Sequence, residues 1–102
     1  MKLLTLIIRA SAQQDMADQL RLLEQVSGFT FSHVEGYGTQ VEGDALLSVR
    51  DKVVGYTPRV RVDILLQDAH VDLVLGAVRD ATYGAKDQGV FWVTGVEKSG
   101  RL

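Results

Sequence analysis

The feature that most constrains this chain is a hydrophobic rhythm written twice. From Lys2 to Tyr37, and again from Arg59 to Val96, apolar residues recur at a spacing of two, then at helical spacing, then at two again. The stretch from Gly36 to Arg59 follows neither rhythm. In the first copy, Lys2–Arg9 reads as a strand with Leu4, Leu6 and Ile8 on one face and Leu3, Thr5 and Ile7 on the other. Both faces are apolar, so both are expected to be covered. Ser11 and Gln14 form a capping-box pattern, with Asp15 favourable in the first turn. Met16, Leu20 and Leu23, joined by Val26, form the inward stripe of a helix for which Gly28 is the expected stop. The segment 29–37 then alternates, with Phe29, Phe31, His33, Glu35 and Tyr37 opposite Thr30, Ser32 and Val34.

The second copy runs the same way. Val60, Val62, Ile64 and Leu66 form a third strand's apolar face, with Arg59, Arg61 and Asp63 opposite. Asp68 is the expected N-cap of a second helix whose inward stripe is Val71, Val74, Leu75 and Val78. A polar turn leads to a last strand, Val90–Val96. Two such halves predict one α+β domain over 1–102, a ferredoxin-like βαββαβ sandwich: an antiparallel four-stranded sheet with both helices on one face. Two helices cover one face only. Leu3, Ile7, Phe29, Phe31 and either Phe91 or Trp92 then predict a second, uncovered apolar face, and a soluble monomer does not tolerate one. Another copy of the chain is the expected cover, in a closed homo-oligomer.

Composition narrows the function. A net charge of −2 argues against nucleic acid as a partner. With no cysteine, disulfides, thiolate chemistry and cysteine-based zinc sites are excluded, which fits a reducing, cytoplasmic setting. The N-terminal apolar run, Leu3 to Ile8, is too short for a signal sequence core, and no stretch approaches a membrane span. The only histidines, His33 and His70, lie far apart in sequence: His33 reads as a core or interface residue and His70 as solvent-exposed, so no metal site and no catalytic residue is assigned. Glu35, Glu42, Asp44 and Asp51 read as a solvated acidic loop rather than a catalytic cluster.

The break itself is the functional candidate, because a connection of about 20 residues far exceeds the roughly 4–6 usual in small domains. It opens with Gly36-Tyr37-Gly38 and closes on Gly55-Tyr56-Thr57-Pro58, the single proline of the chain. Two families with this architecture fail on residues. The third strand lacks the aromatics that RNA-recognition domains stack on bases. The chain has no Asn for an acylphosphatase, and its first loop, Arg9-Ala10-Ser11-Ala12, is not glycine-rich.

A third family fits. Gly36-Tyr37-Gly38-Thr39-Gln40 resembles the loop entrance of the PII signal-transduction proteins. Pro58-Arg59-Val60-Arg61-Val62-Asp63-Ile64 is similar to their Pro-Lys-Val-Lys-Ile-Glu-Ile exit strand, and 84–93 stands where their phosphate-binding B-loop stands. The resemblance implies a trimeric, non-enzymatic regulator with a T-loop over about 38–57 and a B-loop over about 83–89. A small effector would bind between subunits and the T-loop would signal to a transporter or enzyme. It implies effector contacts from Gly38, Thr39, Gln40, Arg59, Gly84, Lys86, Gly89 and Arg101. The apolar set Leu46, Leu47, Val49, Val53 and Val54, with Arg50, either docks on the partner or packs back on the trimer as a small extra element. Departures narrow this further. The family's tyrosine modification motif is replaced by Leu47-Ser48-Val49-Arg50-Asp51-Lys52, which removes uridylylation. Thr39 replaces the entrance arginine, and Ala85 and Val90 replace B-loop residues that contact phosphate. These losses count against ATP and leave ADP, AMP or a small anion such as bicarbonate as the expected effector. The chain is similar to a divergent PII-like group encoded beside heavy-metal efflux systems, which implies a membrane transporter as the target. The competing reading is a ligand- or metal-binding trimer of the CutA type, with no protein target.

Overall fold

In the computed structural model the described residues are 1–38, 55–82 and 89–102, with the backbone alone for 81 and 82. Strand β1 spans Lys2–Arg9, helix α1 Gln13–Arg21, β2 Thr30–Gly36, β3 Thr57–Leu66, helix α2 Val71–Thr82 and β4 Val90–Gly95. The strands form one sheet in the order β2-β3-β1-β4, every neighbouring pair antiparallel. This is the ferredoxin-like arrangement that the duplicated rhythm predicts.

Alternation along the two central strands divides the sheet. Leu4, Leu6 and Ile8 of β1 oppose Ile64, Val62 and Val60 of β3, so all six side chains stand on the same face. Met16 and Leu20 of α1 and Val71, Val74 and Val78 of α2 close over them. Val60, Val62, Ile64, Leu4, Met16, Leu20 and Val74 have no exposed surface. Burying each large side chain contributes about 1.5–3 kcal/mol.

Several local expectations are corrected. Ser11 makes no capping box, because it lies inside a 3-10 turn, Ala10–Ala12, that precedes α1. The cap position falls on Ala12, which has no side-chain oxygen, and the Gln14 amide donates instead to Asp18 Oδ1 at 2.9 Å. Helix α1 also stops well before Gly28. The Leu22 and Leu23 amides donate three residues back, to Gln19 and Leu20, and the tightened turn lets Leu23 and Val26 fold onto the core. Asp68 does not cap α2. It opens a second 3-10 turn, Asp68–His70, and its carboxylate pairs with the Met1 amino group at 2.8 Å and Lys2 Nζ at 3.3 Å. Lys2 opposes Leu66 in the ladder, which brings these groups together.

Two further corrections bear on surfaces. Phe29 and Phe31 belong to the helix-covered side. Phe31 opposes Val62, and both rings, 5.4 Å apart between centroids, pack against the core. His70 is half-buried rather than exposed, and its Nδ1 is buried without a hydrogen-bond partner.

Candidate functional site

The face turned away from the helices carries the odd-numbered residues of β1 and β3. Thr5 is opposed by Asp63 on one side and Trp92 on the other, and Ile7 by Arg61 and Val90. Trp92 is therefore the aromatic of the open face, while Phe91, opposite Leu6, stands on the helix side under the Arg79 guanidinium. Trp92 is 41% exposed and Val90 60%.

At the centre of this face lies a polar knot. The Thr5 hydroxyl, with no exposed surface, donates to Asp63 Oδ1 at 2.8 Å. Arg61 Nε donates to Asp63 Oδ2 at 2.9 Å, and its guanidinium lies 5.9 Å from the Trp92 ring centroid. Burial works against the Asp63 charge, but the hydrogen bonds from Arg61 and Thr5 and the charge of Arg61 outweigh it. The net effect holds the carboxyl below its ordinary range.

One end of the face collects positive charge. Arg9 and Arg59 are direct cross-strand partners, so two guanidinium-bearing side chains share that end of the sheet. Like charges placed opposite each other destabilise a sheet, and an anion between them relieves the repulsion. The ends of the long connection meet at the same place. Gly36 opposes Thr57, and Tyr37 packs edge-on against Tyr56 at 6.0 Å between centroids. Gly89 arrives there too. At φ +87° it lies so close to the Ile7 carbonyl that a Cβ would overlap it, so only glycine fits.

Of the expected effector contacts, Gly38, Arg59 and Gly89 thus belong to segments converging on one end of the sheet. Arg101 does not. It sits in the exposed tail after β4, whose last ladder pair, Gly95 with Lys2, marks the opposite end. Thr39, Gln40, Gly84 and Lys86 lie outside the described residues, as do Leu46, Leu47, Val49, Arg50, Val53 and Val54. Sequence reasoning missed Arg9 and Thr57 at this end and the hydrogen-bonded knot of Thr5, Asp63 and Arg61 at the centre, though it named Trp92, with Phe91 as the alternative, for this face. The signal available was alternation: Arg9 continues the Leu3, Thr5, Ile7 side of β1, and Thr57 shares a side with Arg59. His33 does not reach the open face; its Nε2 lies 3.0 Å from Gln13 Oε1 of α1. Among the described residues, no three His, Asp or Glu side chains group as a metal site. Among them, too, no helix is long and apolar enough to cross a membrane.

Comparison with known proteins agrees with this fold. A family profile described as "Protein of unknown function (DUF3240)" matches residues 1–102. The nitrogen regulatory protein GlnK of Escherichia coli K12 is 30% identical over 86 residues, which is 84% of this chain and 76% of that protein. The nitrogen regulatory protein P-II of Rhizobium meliloti is 30% identical over 78 residues, 76% of this chain and 70% of the relative. A crystal structure of a DUF3240 family protein from Shewanella baltica OS155 superposes with a TM-score of 0.77 at 22% identity. It covers 99% of this chain and 94% of its own. The chain belongs to the DUF3240 family, a divergent group of the PII-like proteins.

Proposed function

We propose that this chain is a non-enzymatic PII-like regulatory protein that works as a trimer, with copies covering one another's open sheet faces. A small effector, ADP, AMP or an anion such as bicarbonate, binds between copies. The connection between β2 and β3 carries the response to a transporter or enzyme in the cytoplasm. The observation that carries this reading is the facing pair Arg9 and Arg59, set where the connection begins and ends and where Gly89 presses on β1. An anion placed there touches the charge and the base of the connection at once. The names of the curated relatives, nitrogen regulatory proteins, support the regulatory class.

Trimer formation also gives Arg101 a role. Within one chain it follows the far end of the sheet, so it joins Arg59 only through a neighbouring copy. Calorimetric titration with ADP, AMP, ATP, bicarbonate and divalent metals tests the reading. Binding of ADP, AMP or bicarbonate is expected, weakened about tenfold or more by Arg59→Ala or Arg101→Ala, since each charge-assisted contact is worth roughly 1.5–3 kcal/mol. Binding of divalent metals alone would overturn the reading in favour of the CutA-type one.

A further inference from the structure

We infer that Thr57 is a positioning residue that ties the Arg59 guanidinium to the stem of the β2–β3 connection, so that one hydroxyl couples the charge site to the loop ends. Only the identity of the anion at Arg59 rests on the function proposed above; the coupling itself rests on geometry. Pro58 disfavours helical backbone at the residue before it, so Thr57 and Arg59, two positions apart on an extended strand, point to the same side. Thr57 is 4% exposed and, with Thr5, is one of two buried polar side chains among the described residues. Its Oγ1 accepts from Arg59 Nε at 2.9 Å. The same hydroxyl donates toward the Gly36 carbonyl at 3.5 Å, a long bond that small shifts strengthen or break. A hydroxyl has one donor and two acceptor sites, so it makes both contacts at once and passes a change in one to the other.

The far side of this relay is equally specific. Gly36 has no side chain, and the aliphatic stem of Arg59 lies so near that a Cβ there would stand 3.2 Å from Arg59 Cγ. Tyr37 follows directly, with its ring against Gly55 and edge-on to Tyr56. Gly55 has φ +79°, and a Cβ on it would come within 3.0 Å of the Tyr37 ring. Contacts therefore run unbroken from the Arg59 guanidinium through Thr57 and Gly36 to the aromatic pair that closes the stem. An anion that draws Arg59 toward Arg9 pulls on Thr57 Oγ1 and alters the hold on the Gly36 carbonyl.

Amide hydrogen exchange at Tyr37 and Tyr56, measured by NMR first without ligand, tests the coupling. Thr57→Val, which keeps the shape and removes the hydroxyl, and Arg59→Ala are each expected to speed exchange there about tenfold, as loss of a hydrogen bond to a charged group implies. Thr57→Ser should restore the wild-type rate, and the Thr57→Val/Arg59→Ala double variant should exchange no faster than either single one. Unchanged exchange in Thr57→Val, or effects that add in the double variant, would overturn the inference. So would equal acceleration at the Ile64 amide in the core, since that describes a merely structural residue. A second series with ADP separates this inference from the proposed function. Exchange at Tyr37 and Tyr56 should change with ADP in the wild type and not in Thr57→Val. ADP that leaves the wild type unchanged while the ligand-free variants behave as expected counts against ADP as effector alone.

Discussion

The two faces of one sheet teach different things. On β3, residues 60, 62, 64 and 66 are apolar, buried and sealed by two helices, whereas 59, 61 and 63 are charged and only partly covered. Both sets come from one alternating run, so the strand serves stability on one side and leaves chemistry to the other. The helix side solves the entropy problem of folding by burying hydrocarbon. The open side holds an ion pair, a buried threonine, an indole and a facing pair of arginines. The function proposed above uses that combination on a surface that meets another copy and an anion.

The largest effect should come from the sealed side. Ile64→Ala leaves a cavity beneath both helices and should cost about 2–5 kcal/mol, read as a lower urea midpoint with an unchanged slope. An equal loss from Leu3→Ala on the open face, measured at a concentration where the chain is monomeric, would erase the contrast between the faces.

The next effect sharpens the contrast through pH. The folded Asp63 carboxyl titrates below its unfolded value, so the stability it contributes is fully present above that unfolded value. It is lost as pH falls from about 4 through the depressed folded value. Asp63→Asn should flatten this acid limb of stability and lower stability at neutral pH, where Arg61 loses its charged partner. An acid limb identical in the variant would show that the knot on the open face does not contribute. The smallest effect belongs to neither face: Arg21→Ala breaks only an exposed pair with Asp18 at 3.8 Å and should shift stability by less than about 0.5 kcal/mol.

How much of this was legible in the sequence follows from how far each cause reaches. The covered face of β3 could be read directly, because Val60, Val62, Ile64 and Leu66 announce it within seven residues of chain. The same alternation divided β2 correctly into two sets but could not say which set faced the helices. Pairing of Phe31 with Val62 decides that, and pairing is a long-range event. The helix start was misread because a capping box is a local pattern, and the chain spends Ser11 in a 3-10 turn as it leaves β1. Arg59 was an expected site residue through the resemblance of Pro58-Arg59-Val60 to the PII exit strand. Its neighbours were not: Arg9 meets it only through the β1–β3 register, and the Thr57 hydroxyl gains meaning only from the glycine opposite.

The central claim is that the open face exists to be covered by further copies, with the effector held between them. Light scattering on the purified chain at micromolar concentration, with and without ADP, tests it most directly. A mass of three chains of 11.2 kDa is expected in both conditions, with dissociation when Trp92 and Ile7 on the open face are replaced by serine. A stable single chain with an unpaired open face would contradict it.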